Sequence, residues 1–229
     1  EFCAREELNK TSERRMVVLD PLKVTITNYP EDKKEFIVSE NNPENPESGN
    51  REIPFGREIL IEREDFRPEA NRKFFRLKLG KEVRLKSAYI ICANEAIYDD
   101  NKNLIEVKCT YDPLSKSGSG TIESQRKVKG TLHWVSKKEA VKIEVREYNR
   151  LFLNPSPSSA KSNDELFEML NPNSVTKLTA FSEPQIVNSK VGDQFQFQRK
   201  GYFVVDKDSD SKNRIFNKTV DLRDNWKPM

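Results

Sequence analysis

Two stretches of this chain set hydrogen-bonding and cationic side chains at strand spacing. The first, residues 72–86, reads RKFFRLKLGKEVRLK and carries Arg72, Lys73, Arg76, Lys78, Lys81, Arg84 and Lys86 against the single acid Glu82. That is a local +6 in a chain whose net charge is +3, which leaves −3 for everything else. Two strands about a turn at Gly80-Lys81 would put Phe75, Leu77 and Leu79 on one face and Arg76 and Lys78 on the other, because successive side chains alternate. Val83 and Leu85 oppose Arg84 and Lys86 in the same way. Packing the apolar faces on a core predicts a cationic plate of Arg76, Lys78, Arg84 and Lys86. Guanidinium forks held on strands match phosphates and base edges. A solvated hairpin face is the plainer alternative.

The second stretch is QFQFQRKGYF at residues 194–203. As a strand it buries Phe195 and Phe197 and lines the opposite face with Gln194, Gln196 and Gln198, ending in Arg199 and Lys200. A row of amides beside a guanidinium supplies both donors and acceptors, which is what telling one base edge from another requires. Again the alternative is an ordinary polar strand face. Single-stranded RNA recognition adds stacking to edge hydrogen bonds, and alternation places Phe74 on the Arg76 face as a candidate stacking residue.

The elements that must position these residues are short and β-rich. Strand patterns occupy residues 16–19, 22–29, 35–39, 58–62, 87–98 and 104–110, then 126–135, 141–148, 174–180, 194–199, 202–206 and 215–220. Residues 41–56, with Pro43, Pro46, Gly49, Pro54 and Gly56, read as a loop excursion, and 65–72 as one or two helical turns. The run SKSGSG at 115–120 is the most linker-like segment. Asn163 can cap one helix over 163–170, with Asp164 and Glu165 in its first turn and Asn171-Pro172 ending it. Many short strands with few helices indicate an all-β chain of barrels or sandwiches.

Composition excludes several classes of function. Charged residues make up 34% and hydrophobic residues 35% of the 229, and no run has the length of a membrane span. Cys3, Cys92 and Cys109 are too few and too scattered for a disulfide framework, which predicts a reducing, cytoplasmic setting. They lack metal-ligand spacing, and with His133 as the only histidine, triads and zinc sites are nearly excluded. His133 beside Trp134 in an apolar strand reads as a packed core or interface residue. Leu114-Ser-Lys-Ser lacks the context of a nucleotide loop, and no glycine-rich phosphate motif is present. The triplets at Asn9 and Asn217 match glycosylation sequons that a cytosolic chain would not use. The first residue is not methionine, and residues 2–8 look like the end of a helix already under way, so the chain is expected to be the C-terminal part of something longer.

Six blocks, RRMVVLDPLKVTITNY, IPFGREILIEREDF, LGKEVRLKSAYII, KVKGTLHWVS, FQFQRKGYF and FNKTVDLRDNW, together resemble the C-terminal half of bacterial-type glutaminyl-tRNA synthetases over essentially the whole chain. The resemblance implies two tandem six-stranded β-barrels of the ribosomal-protein L25 type with a few short helices. It implies the end of an upstream helical subdomain at 1–13, a proximal anticodon-binding barrel at 14–125 and a distal one at 126–206. A C-terminal segment at 207–229 would return to the proximal barrel. The implied partner is glutamine tRNA, gripped at its anticodon loop. ATP with magnesium would serve the catalytic domain of a monomeric parent, with no cofactor or metal in this chain. The middle-base pocket is similar to Arg14, Pro43, Gln196 and Gln198. The third-base pocket resembles the region of Lys73 and Arg76, and the first-base pocket falls on Arg84 and Lys86, with Arg199 close by. Three positions depart from the family pattern: Lys86 where an arginine is usual, Gln198 where an acid is usual, and Phe75 where a lysine is usual. Lys86 cannot make a bidentate fork, but it can hold a phosphate or accept either pyrimidine. Archaeal and eukaryotic glutamyl-tRNA synthetases share the barrels, and a one-barrel L25-like rRNA-binding protein is a further alternative.

Overall fold

The computed structural model describes residues 1–223. Asp224, Asn225 and Trp226, which close the last of the six blocks, lie outside the described residues. Along the chain run helix α1 (Phe2–Thr11) and strands β1 (Glu13–Arg15), β2 (Val17–Val18), β3 (Pro21–Ile26), β4 (Glu35–Glu40), β5 (Asn50–Phe55), β6 (Glu58–Glu62), β7 (Glu82–Leu85), β8 (Ile90–Tyr98) and β9 (Leu104–Tyr111). Then follow α2 (Ile122–Gln125), β10 (Thr131–Leu132), β11 (Val135–Ser136), β12 (Val141–Tyr148), α3 (Asn163–Glu168), β13 (Val175–Ser182), β14 (Gln194–Phe197), β15 (Gly201–Val205) and β16 (Ile215–Val220).

Two sheets curl into barrel-like forms. The first has the order β10-β7-β8-β9-β3-β6-β11, and the second β1-β14-β15-β16-β12-β13-β2. In each, the two end strands are consecutive pieces of one chain segment: only His133-Trp134 separates β10 from β11, and only Met16 separates β1 from β2. One broken segment therefore joins both edges of its sheet, and counting it as one strand gives six strands to each barrel. Closure of this kind removes the exposed edges that would otherwise invite intermolecular pairing. It is also reciprocal. Residues 13–18 precede the first barrel yet close the second, and residues 131–136 precede the main strands of the second yet close the first.

Each barrel has its own core. Alternation in β3 buries Leu22, Val24 and Ile26, which join Trp134, Phe55, Tyr29, Tyr89 and Tyr111 in the first core. Trp134 stands edge-on to Phe55, centroids 5.0 Å apart, and its indole N–H donates to the Lys86 carbonyl at 3.0 Å, so the bulky ring also satisfies its polar atom. In the second core Phe197 stacks on Phe203 at 4.1 Å, as the alternation of residues 194–198 predicts. Helix α1 buries Leu8 against Tyr202 and Val220 of the second barrel. Outside both sheets, β4 and β5 form a separate two-stranded ribbon.

Several expectations need correction. Residues 72–79 do not form a strand paired with β7, because both edges of β7 are taken, by β8 on one side and β10 on the other. The backbone of 77–80 instead makes single bridges: Leu77 donates to the Asp65 carbonyl at 2.9 Å and Gly80 to that of Ala93 at 2.8 Å. Leu77 alone of the expected apolar face is buried, while Phe75 is 51% and Leu79 38% exposed. The excursion at 41–56 contains β5. The linker-like run is ordered on the first barrel, where Ser115 Oγ accepts from the Ile90 amide at 2.8 Å and the Ser117 amide donates to Ala88 at 2.9 Å. Residues 215–220 do not return to the first barrel: β16 pairs with β12 and β15 in the second sheet. Sheet membership crosses the expected domain limits at 13–18 and 131–136, where each segment pairs into the other barrel. In place of helical turns over 65–72 there is a 3-10 turn, Arg63–Asp65. Ser162 rather than Asn163 caps α3, accepting from the Glu165 amide at 3.2 Å.

Candidate nucleic-acid interface

The crossed strands bring residues of both halves to one place. A groove of about 680 Å³ opens between the barrels and the β4–β5 ribbon, and its lining includes Arg14, Pro43, Lys86, Gln196, Gln198 and Arg199. A smaller cavity of about 390 Å³ adjoins it through the shared residues His133, Arg199 and Leu222, and takes in Arg76, Glu64 and Lys200. Seven of the nine residues expected at the site thus meet in two adjoining cavities. Lys73 and Arg84 line neither.

Arg14 and Gln196 face each other as register partners across the parallel pair β1–β14. The Arg14 side chain is 5% exposed and caps α1: its guanidinium donates to the carbonyls of Ser12 at 2.6 Å and Asn9 at 2.9 Å and to Asn9 Oδ1 at 2.7 Å. A cation there also suits the negative end of the helix. Burial lowers its pKa from the ordinary arginine value, against the opposing pull of Tyr202 and Glu44. Asn9 Oδ1 also accepts from Tyr202 Oη at 3.2 Å, and Tyr202 Oη accepts from Gln196 Nε2 at 2.8 Å. The hydroxyl donates to Asn9, so it must accept from Gln196. That fixes the amide with Nε2 inward and leaves Oε1 as the acceptor free for a ligand.

Arg199 sits in the turn between β14 and β15 with a left-handed backbone, φ 68°, uncommon for a residue with a side chain. Ser87, at φ 59°, lines the same groove. From that turn Arg199 reaches across to the first barrel, where its Nη1 and Nη2 bind Asp65 Oδ2 and Oδ1 at 2.5 and 2.7 Å. Burial by itself would lower the guanidinium, but the paired Asp65 outweighs it and holds the pKa above the ordinary value. Arg76, 38% exposed, places Nε 3.3 Å from the same carboxylate and Nη1 3.3 Å from Glu64. Beneath them the buried Glu62 accepts from the Leu19 amide at 2.7 Å and lies 3.1 Å from Lys200 Nζ and 3.4 Å from His133 Nε2. Burial pushes against its ionisation, yet His133, Lys200 and the Leu19 amide keep its pKa below the ordinary carboxylate range.

The expected cationic plate does not form. Arg84 turns inward, donating from Nη1 to the Ser115 carbonyl at 2.8 Å and Ser117 Oγ at 3.1 Å, and from Nη2 to the carbonyls of Ser124 at 2.9 Å and Arg126 at 3.2 Å. Lys78 Nζ donates to the Asn71 carbonyl at 3.2 Å. Lys86 and Lys73 are exposed. Phe74 is half-buried with the Arg67 guanidinium over its ring, 4.9 Å from the centre, so one face of the expected stacking residue is already taken. Sequence reasoning missed Asp65, Glu62, Tyr202 and Asn9. Of these only Tyr202 carried a signal, lying across the strand pair from Gln196. Among the described residues no group of three or more His, Cys, Asp and Glu could hold a metal ion, and no helix is long and apolar enough to cross a membrane.

The arrangement offers one fixed amide acceptor, guanidinium donors and an exposed ammonium in adjoining cavities, a set suited to separate, unstacked bases. Comparison with known proteins agrees in kind. The family described as "tRNA synthetases class I (E and Q), anti-codon binding domain" matches residues 12–112, and a second family of the same description matches residues 131–206. Proteins named glutamine–tRNA ligase are similar to nearly the whole chain. The one from Rhodopirellula baltica is 52% identical over 99% of this chain and 37% of its own length. That from Vibrio vulnificus is 46% identical over 99% of this chain and 40% of its own, and that from Nitrobacter hamburgensis 44% over 99% and 39%. The chain therefore spans about two fifths of the length of these relatives. With both barrels matched, and with the groove between them built from the residues that the resemblance singles out, the chain belongs to the anticodon-binding domains of the class I tRNA synthetases for Glu and Gln.

Proposed function

We propose that the chain reads the anticodon loop of glutamine tRNA, on behalf of a cytoplasmic ligase that joins glutamine to that tRNA with ATP and magnesium. The observation that carries this reading is the convergence of Arg14, Gln196, Gln198 and Arg199 with Pro43 and Lys86 in one groove. The middle base, uracil, presents a donor flanked by two acceptors on its pairing edge. Gln196 Oε1 meets the donor, and Gln198 with the guanidinium of Arg199 supplies the flanking donors. Arg76, in the adjoining cavity, takes the third base, where a guanidinium fork suits guanine, and Lys73 supports it at the surface. Lys86 faces the first base as a point charge that tolerates either pyrimidine. Arg84 acts one step back, ordering residues 115–126 beside Lys86. A role in a glutamyl enzyme is less well supported, because the relatives quoted above carry the glutamine name.

The test is filter binding of transcribed glutamine tRNA with excess unrelated tRNA present, repeated with each anticodon base exchanged. Binding that ignores all three exchanges would overturn the proposal.

A further inference from the structure

Phe75 is the exposed aromatic that the expected hairpin would have buried. Its ring is 51% exposed, with Lys129 Nζ 5.5 Å from its centre. The side chain is carried on rigid backbone. A Cβ on Gly130 would lie 2.3 Å from the Phe75 carbonyl oxygen, so glycine alone permits this approach. The Gly130 carbonyl is in turn anchored by the Arg84 amide at 2.8 Å. Beyond Gly130 the chain continues directly into Thr131, which lines the groove between the barrels. On the other side, Phe75 adjoins Arg76 of the second cavity. Among the described residues Lys129 makes no ion pair, so the cation at the ring has no carboxylate bound to it directly, and Lys73 and Lys127, near it in sequence, make none either.

We propose that Phe75, with Lys129 at its ring, is a stacking platform for one unpaired base of the bound RNA loop, next to the base taken by Arg76. The inference rests on the anticodon reading above and adds a contact that reading does not contain. Stacking on an aromatic ring is tolerant of base identity, since every base has a π face. The ammonium adds attraction to the ring and to the strand's phosphates. The occupant is single-stranded RNA because the cations of this stretch, Lys129 at the ring with Lys73 and Lys127 near it in sequence, have no carboxylate bound to them. A protein partner's apolar segment would gain nothing from them.

The experiment uses the whole chain and a synthetic stem–loop with the anticodon CUG, intact and with an abasic residue placed at each loop position in turn. Phe75→Leu should weaken binding to the intact loop about 5- to 100-fold, while Phe75→Tyr should stay within about twofold. At one abasic position the parent chain and Phe75→Leu should bind equally, which identifies the stacked base. Lys129→Gln should reduce the salt dependence of binding, and Phe75→Leu should leave it unchanged. Equal binding by Phe75→Leu and the parent to the intact loop overturns the platform. So does an undiminished Phe75→Leu defect at every abasic position. If the parent does not bind the loop at all, the anticodon reading falls as well. If it binds with discrimination and only the Phe75→Leu effect is missing, the platform alone falls.

Discussion

Asp65, fully buried in the first barrel, binds Arg199 of the second through two bonds of 2.5 and 2.7 Å. The same carboxylate lies 3.3 Å from Arg76, so two guanidiniums in two adjoining cavities share one counterion. Neither can swing toward a ligand without changing the field felt by the other.

Asp65→Asn should leave Arg199 without its two-bond carboxylate partner and Arg76 with Glu64 alone. Removing one partner of a fully buried pair costs about 3–5 kcal/mol, and the residual exposure of Arg199 lowers the expected loss to about 2–3 kcal/mol. Urea unfolding of variant and parent at equal slope reads this directly. Unchanged stability would show that the clamp holds the barrels no better than solvent would.

Arg76→Ala should weaken binding to the cognate loop by about 1–3 kcal/mol and relax discrimination at the third base. Competition between loops with guanine and adenine at that position measures it. Equal losses on both would reassign Arg76 to a phosphate contact.

Arg14 and Gln196 are linked through Asn9 and Tyr202, so their substitutions should not add. The double variant Arg14→Ala/Gln196→Ala is expected to lose less binding than the two single losses combined, by about 0.5–3 kcal/mol. A double-mutant cycle at two salt concentrations decides it. Strict additivity, with a reduced salt slope for both variants, would mean that they touch the RNA backbone separately.

Glu35 lies between the barrel core and the 115–120 run, accepting from Tyr89 Oη at 2.8 Å and Lys116 Nζ at 2.5 Å. Burial opposes its charge, but the bonds from Lys116 and Tyr89 and the charges of Lys116 and Lys33 win, and its pKa falls below the ordinary glutamate value. A depressed folded-state pKa contributes stability that is present above the unfolded value, about 4.3, and is lost as the pH falls through the folded one. Glu35→Gln should therefore cost about 1–2 kcal/mol at neutral pH. The gap between parent and variant should close on acidification, followed by denaturant midpoints across the range. A gap independent of pH would reject the linkage.

The residues of the groove were more legible in the sequence than their company. Phe195 and Phe197 alternate with Gln196 and Gln198, and that period is local, so the amide row could be read directly from residues 194–198. The fate of residues 72–79 could not. Whether β7 has a free edge depends on Thr131 and Leu132, about fifty residues onward, and no local pattern announces a partner that distant. Asp65 was hidden for a similar reason, since its role is set by Arg199, 134 residues away. Ser115 and Gly118 suggested a flexible joint because small polar residues also serve ordered turns that capture backbone amides.

The reciprocal closure of the barrels sets a timetable when the chain is made from its N-terminus. Residues 13–18 emerge well before their partners on β13 and β14, at 175–182 and 194–197, so they wait without a sheet to join while the intervening strands are made. The first barrel's own strands are complete at Tyr111, but its seam stays open until residues 131–136 have appeared. Pairing at such separations carries the loop-closure cost that slows folding of non-local β topologies. A break anywhere between the barrels would leave each part lacking its last strand, so the two halves are expected to mature together as a single kinetic unit.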